Sequence, residues 1–270
     1  MRNNMKLYVI NLERAQARRE RIQKNLKDLD LKFEFINAID YKLTPKEVID
    51  SFRTPLSQRS LWLKELTPGE IACFLSHRKA WQTLVDSEEE WALILEDDAN
   101  VLKENKALIT FTSWIPSGVE LILCANSEGL AYCSVDRPIL HTTYEQKDIS
   151  LGKIFDQSHA TSGAAAYFLH KRAAKRLLEQ SNNFYIPADD FLFSRHSPAR
   201  KACSAYFMSP CIAVPKDEVS FLQADKAIVK TPKTQAPFKY LFRTLHKWFY
   251  RMLTPLVSQR LYCKGPNIPN

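Results

Sequence analysis

The sequence predicts an α/β fold of the Rossmann-like, nucleotide-binding kind with a C-terminal amphipathic helical tail. Three observations predict it. The chain opens strand, helix, strand. A wholly apolar run, Trp91-Ala92-Leu93-Ile94-Leu95, leads directly into three carboxylates, Glu96-Asp97-Asp98. Residues 226–270 hold nine Lys or Arg and no Asp or Glu. The expected division is therefore a body over 1–225 and a basic tail over 226–270.

The opening comes first. Leu7-Tyr8-Val9-Ile10 is a short apolar run ended by Asn11-Leu12-Glu13-Arg14. Ala17, Ile22, Leu26 and Leu29 recur at helical spacing over 15–29. Residues 33–36 make a second strand that ends in Asn37-Ala38-Ile39-Asp40. No G-x-G-x-x-G loop joins these elements, and the chain has only six glycines. A dinucleotide site of that kind is not expected. Residues 42–65 predict a short helix and a loop.

A helix is well marked from Thr67. Thr67-Pro68-Gly69-Glu70 supplies an N-cap, a first-turn Pro and a Glu at the third position. Ile71, Phe74, Leu75, Ala80 and Leu84 give it a buried stripe, with Trp81 in the core. The strand over 91–95 follows. Further strands are expected over 120–124 and 164–169, and a helix over 172–180. Tyr185-Ile186-Pro187-Ala188-Asp189-Asp190 then leads into a helical Phe191-Leu192-Phe193, and Cys211-Ile212-Ala213-Val214 closes the body.

Charge and cysteine usage exclude several classes. Of 38 basic residues nine belong to the tail, leaving 29 against 30 acids in the body, a net of −1. A nearly neutral body argues against general nucleic-acid binding, and the basic character marks one anionic contact surface. No apolar run is long enough to span a bilayer. The six cysteines show no C-x-x-C pair and no zinc spacing, which predicts reduced structural thiols in a protein made in the cytoplasm.

The triplet is the feature that asks for chemistry. Three clustered like charges repel, and each needs solvation or a cation. At the carboxyl end of a strand in an open α/β sheet they face the ligand crevice. Mg²⁺ and Mn²⁺ prefer such oxygen ligands and share them with substrate phosphates. Side chains alternate along a strand, so Glu96 and Asp98 point one way and Asp97 the other. The competing reading is a solvated strand end that caps whatever follows Ala99.

Several segments together resemble glycosyltransferase family 25. Tyr8-Val9-Ile10-Asn11-Leu12-Glu13-Arg14, with Arg18-Arg19 beyond, is similar to the family's opening. Leu66-Thr67-Pro68-Gly69-Glu70-Ile71-Ala72-Cys73-Phe74-Leu75-Ser76-His77, then Lys79-Ala80-Trp81, resembles its central signature. Leu93-Ile94-Leu95-Glu96-Asp97-Asp98-Ala99 resembles its metal-binding segment. Thr161-Ser162-Gly163 and Pro187-Ala188-Asp189-Asp190 resemble later blocks. The family shows a single Asp where Asp189-Asp190 stand, so either is the candidate base. The resemblance implies a GT-A-type fold and an inverting transfer of a hexose, usually galactose from UDP-galactose, with a β-linkage. The acceptor it implies is a lipid-linked oligosaccharide of lipooligosaccharide or lipopolysaccharide, on the cytoplasmic face of a bacterial inner membrane.

Roles follow from that chemistry. Inverting transfer needs one carboxylate group under the diphosphate and one base across the sugar. Glu96 and Asp98 suit a Mn²⁺ or Mg²⁺ ion. Asp97 suits a ribose or sugar, and Asp189 or Asp190 the base. Asn11, Arg14, Arg18, Asp40 and His77 are expected near the donor, and Thr161, Ser162 and Gly163 near the sugar. Each has a plainer reading: Asp189-Asp190 as a helix cap, Arg14 and Arg18 as a solvated face, His77 and Glu70 as structural groups. A metal-dependent nucleotidyltransferase or phosphohydrolase would use the same triplet, as would a glucosyltransferase using UDP-glucose.

The tail has its own pattern. From Phe238 to Leu253, apolar residues fall at steps of three and four, and Lys239, Arg243, Lys247 and Arg251 line another face. That predicts a basic amphipathic helix lying on an anionic membrane surface. A terminal helix packed on the body is the alternative.

Overall fold

A computed structural model describes residues 5–52, 65–125, 130–135, 137–154, 163–194, 197–215 and 258–262. The expected opening forms as β1 (Lys6–Asn11), α1 (Gln16–Asp28) and β2 (Glu34–Asn37). The short helix α2 is Lys46–Ser51, and the marked helix α3 is Pro68–Asp86. Thr67 caps α3 with the full reciprocal pair. Its hydroxyl accepts from Glu70 N at 3.2 Å, and Thr67 N donates to Glu70 Oε2 at 2.8 Å. Glu70 is thus spent on the cap, the plainer of its two readings.

The remaining strands of the body are β3 (Trp91–Glu96), β4 (Ala99–Val101), β5 (Leu121–Leu123), β6 (Leu130–Ser134), β7 (Leu140–Tyr144), β8 (Lys147–Lys153), β9 (Ala166–His170), β10 (Ala205–Ser209) and β11 (Ala213–Pro215). Among them lie α4 (Ala107–Thr110), α5 (Lys171–Gln180), α6 (Ala188–Phe193) and α7 (Ala199–Ala202). The main sheet has the order β2-β1-β3-β9-β5-β10-β8-β7. β2, β1, β3, β5, β10 and β7 run one way, and β9 and β8 run the other. β6, β7, β8 and β10 are not expected from the sequence, because the runs that form them are short and polar or flanked by weak turn signals.

The alternation along β3 divides the core in two. Ala92 and Ile94 pack with Phe74, Ala80 and Trp81 of α3 on one face. Leu93 and Leu95 pack with Ile22 and Leu26 of α1 on the other. The strand is buried on both faces, which is why its sequence is continuously apolar.

One described segment of the tail region joins the body. β12 (Ser258–Tyr262) pairs antiparallel with β6, from Ser258 opposite Ser134 to Tyr262 opposite Leu130. Gly152 of β8 permits this layer. A Cβ there would sit 2.2 Å from Cys133 Sγ and 3.3 Å from Leu261 Cδ2. Cys211 is disulfide-bonded, against the expectation that all six thiols are reduced, whereas Cys73, Cys124, Cys133 and Cys203 are free. The residues from Phe238 to Leu253 lie outside the described ones. Among those described, no helix is long and apolar enough to cross a membrane.

Candidate active site

The cleft opens where β1 and β3 end beside α3. Ile10, Leu12, Arg14, Arg18, Asp40, Tyr41, Gly69, Cys73, Ser76, His77, Glu96, Asp97 and Asp98 are among the residues lining it. Pairing fixes this geometry. Ile10 lies opposite Glu96 across the parallel β1/β3 ladder, so both strand ends reach the same rim. Glu96 N donates to Ala165 O at 2.9 Å, which pins the last residue of β3 to the turn before β9.

The three carboxylates part as alternation predicts. Asp97 turns to the α1 side and is filled. Asn11 Nδ2 donates to its Oδ2 at 2.8 Å, Arg18 donates to its Oδ1 at 3.0 Å, and Arg21 donates to its backbone carbonyl at 3.2 Å. Asn11 is 1% exposed and also accepts from Arg19 at 3.2 Å. Burial pushes the Asp97 carboxyl up, against the pull of Asn11 and Arg18. Arg18 and Asp97 line the cleft with Asn11 behind them, and in this structure the three hold one another.

Glu96 turns to the α3 side, where a buried chain of hydrogen bonds reaches it. Trp81 Nε1–H donates to the Tyr167 hydroxyl at 2.9 Å. Tyr167 O and His77 Nδ1 are 2.9 Å apart, and His77 Nε2 and Glu96 Oε1 are 3.2 Å apart. One assignment satisfies every atom. The tyrosine hydroxyl donates to Nδ1, and Nε2–H donates to the carboxylate. Burial raises the Tyr167 phenol well above its usual value, so it stays a donor. His77 therefore orients Glu96 from beneath, a role beyond the donor contact the sequence suggests.

Asp98 is the least satisfied of the three. Its Oδ1 is buried and has no hydrogen-bond partner among the described residues. Burial first, then the charges of Glu96 and Asp97, push its carboxyl up to about 7. An orphaned carboxylate oxygen next to a second, cleft-facing carboxylate fits a hard divalent ion. Glu96 and Asp98 are the residues that would hold it.

Asp189 is carried by α6, which packs against α3, and it is not among the cleft-lining residues. Its α6 helix is seated by aromatic packing. Phe74 stacks on Phe184 at 3.8 Å between centroids and meets Phe191 edge-on at 5.0 Å. Tyr167 meets Phe193 at 6.1 Å. Burial raises the Asp189 carboxyl, and the negative Glu96 adds to it, whereas the Asp190 N–H bonded to Asp189 Oδ1 at 2.9 Å opposes it. Asp189 thus shares the electrostatic field of Glu96 and His77, and it also bonds the next amide of α6. The expected Asp189-Asp190 cap does not form: α6 begins at Ala188, with Pro187 at its N-cap and no side-chain cap bond, because the helix starts one residue before the pair.

The remaining expected residues divide. Arg14 and Asp40 both line the cleft and are ion-paired with each other. Gly163 takes φ +62° in the turn before β9, a left-handed conformation that explains the glycine, and a Cβ there would meet nothing within 4 Å. Thr161 and Ser162 lie outside the described residues. Tyr167 is not expected at the site from the sequence, and Cys73 has no role there. Cys73 lies one turn before His77 and lines the cleft, a spacing that is visible in the sequence. The pairing of Tyr167 with His77, 90 residues apart, is not.

Paired carboxylates at a strand end, an oriented histidine and a third carboxylate within their field make an anionic cleft at the edge of an α/β sheet. Similarity to known proteins narrows this. The family model described as glycosyltransferase family 25 (LPS biosynthesis protein) matches residues 4–192, and the chain belongs to that family. Lipooligosaccharide biosynthesis protein lic2B of Haemophilus influenzae is 25% identical over 221 residues, 78% of this chain and 76% of that protein. Procollagen galactosyltransferase 2 of Homo sapiens is 34% identical over 100 residues, 34% of this chain but only 15% of the human protein. A crystal structure of a glycosyltransferase involved in glycosylation of the major capsid of PBCV-1 aligns at TM-score 0.41 and 11% identity, covering 83% of this chain and 98% of that one.

Proposed function

We propose that this chain is an inverting glycosyltransferase that moves a hexose from a UDP-sugar to a lipooligosaccharide or lipopolysaccharide outer-core acceptor, forming a β-linkage. Galactose is the proposed hexose, supported by the activity for which the procollagen relatives are named. The observation that carries the reading is the unpartnered, buried Asp98 Oδ1 beside Glu96 in the cleft, with Asp189 in the field of Glu96.

Glu96 and Asp98 would hold Mn²⁺ or Mg²⁺, and such an ion supplies charge neutralisation for a departing diphosphate. Asp189 takes the proton of the acceptor hydroxyl. The acceptor oxygen forms a bond to the anomeric carbon as the bond to the diphosphate oxygen breaks, and UDP leaves with the electron pair. Attack opposite the leaving group inverts the anomeric centre. Asp189 is preferred to Asp190 because it shares the field of Glu96 and His77, and burial raises its carboxyl, the direction that strengthens a general base. His77 holds Glu96 in the orientation in which it would meet such an ion. The Asn11–Asp97–Arg18 brace fixes the floor, and the Arg14–Asp40 pair stands at the nucleotide end, where opening it would free a guanidinium for phosphate and a carboxylate for ribose.

The amphipathic pattern from Phe238 to Leu253 supports docking on the anionic cytoplasmic face of an inner membrane, beside a lipid-linked acceptor. The deciding experiment measures UDP release from UDP-galactose and UDP-glucose with Mn²⁺ and purified lipooligosaccharide acceptors. Acceptor-dependent release from UDP-galactose is expected. Release of pyrophosphate or inorganic phosphate instead would overturn the reading in favour of a nucleotidyltransferase or phosphohydrolase.

A further inference from the structure

We infer that Cys73, His77 and Glu96 form a thiophilic metal site for a divalent ion of the zinc class, one that shares Glu96 with the hard-ion site and so switches the cleft off. Cys73 and His77 are four apart on α3, which stacks them on one face. Glu96 reaches them from the end of β3. A sulfur, a ring nitrogen and a carboxylate oxygen from the three all lie within 4.8 Å of one another. Tetrahedral zinc, with bonds of about 2.0–2.3 Å, holds its donors about 3–4 Å apart, so modest side-chain rotation closes the set.

Three further features suit a metal site. The contact of His77 Nδ1 with the Tyr167 hydroxyl, at 2.9 Å, supplies the outer hydrogen bond that fixes a ligating imidazole. On binding, the His77 tautomer reverses: Nδ1–H donates to the phenol oxygen, which also accepts from Trp81, and the Nε2 lone pair faces the ion. Cys73 is half-buried and lines the open cleft with His77 and Glu96, so an ion has a path in. Asp98 Oδ1 lacks a partner in the same cleft and can complete the shell.

Thiolate and imidazole select zinc-class ions over Mg²⁺ and Mn²⁺. On binding, the Cys73 thiol proton leaves to solvent, and thiolate, Nε2 and carboxylate each donate an electron pair. Nothing is oxidised or reduced. With Asp98 completing its shell, the zinc-class ion takes both carboxylates of the hard-ion site, Glu96 and Asp98, and this makes occupancy exclusive. The inhibitory consequence rests on the proposed transferase reading; the binding does not.

Co²⁺ titrated into the full chain is the probe. A near-ultraviolet thiolate-to-cobalt band that saturates at one ion per chain and is bleached by Zn²⁺ is expected. Cys73→Ser should lose the band while keeping the wild-type melting temperature, and Cys203→Ser should keep it. Tyr167→Phe should weaken Co²⁺ about 10-fold. A wild-type chain without the band, or Cys73→Ser with it, overturns the site. In turnover assays, Zn²⁺ should inhibit competitively with Mn²⁺, and Cys73→Ser should be at least about 10-fold less sensitive. Zinc inhibition unchanged in that variant overturns the shared-ligand switch. A cobalt band in a chain that turns over no UDP-sugar sinks the transferase reading and leaves the metal site standing.

Discussion

On the α1 side of β3, Asp97 ends among Asn11, Arg18 and Arg21, with both carboxylate oxygens and its carbonyl taken. On the α3 side, Glu96 has a long contact to His77 at 3.2 Å, and Asp98 Oδ1 has none among the described residues. The residues are adjacent in sequence and chemically alike. What differs is the element each one faces. α1 presents arginines, which neutralise a carboxylate within the protein. α3 presents Cys73, Ser76 and His77, which leave negative charge to be neutralised from outside. One side of the strand end is finished by folding, and the other is left for a ligand to finish.

The sharpest way to break this contrast is to remove a charge on the unfinished side. Asp189→Asn should lower acceptor-dependent UDP release by roughly 10²–10⁴-fold, as loss of a general base does. Asp98→Asn should lower it by on the order of 10²–10³-fold and abolish Mn²⁺-induced thermal stabilisation, without loss of metal-free stability. If Asp98→Asn unfolds the protein, the two sides are not different in kind.

The finished side should respond in stability. Arg18 and Asp97 are 12% and 11% exposed at their side chains. Asp97→Ala removes the buried carboxylate to which Asn11 and Arg18 donate and should cost about 3 kcal/mol in denaturant melts. A milder loss accompanied by a selective rise in KM for UDP-sugar would instead assign Asp97 to donor binding.

The pH dependence of the metal-free protein separates the sides again. The Asp98 carboxyl is raised to about 7 in the fold, above its value of about 3.9 in an unfolded chain. The folded state therefore holds this proton more tightly. The stabilisation is fully present below about pH 4 and is lost as pH rises through about 7. Melting temperatures without metal should fall across that window, and Asp98→Asn should flatten the fall. Mn²⁺ should bind more tightly as pH rises through about 7, because the proton competes for the same oxygen.

The smallest effect concerns the helix that carries His77. Thr67→Ala removes one half of the capping box and should cost about 1 kcal/mol, read by chemical denaturation. UDP release by the folded fraction should be nearly unchanged, since the cap precedes His77 by about three turns of α3.

Much of the body was legible from residue order. Local signals carried the β1–α1–β2 opening, the Thr67 cap and the doubly buried β3. Period-two alternation alone places Glu96 and Asp97 on opposite faces. The stretch holding β6, β7 and β8 was not legible, because its alternation is weak, as in β7, where Leu140 and Thr142 are half-buried and His141 and Thr143 exposed. The pairing of Arg14 with Asp40 was not legible either. Both were expected at the cleft, but a pattern along the chain does not say that two expected ligands will take each other.

Residue order by itself determined which side chains stand at the end of β3 and which faces of its helices are apolar, because strand and helix periods are local properties of the backbone. Tertiary structure alone decided which acids are satisfied. Inserting β9 beside β3 brought Tyr167 under His77, and the aromatic seat of α6 brought Asp189 within the field of Glu96. Those contacts join residues far apart in the chain, and no local period encodes a partner that arrives only when the sheet closes.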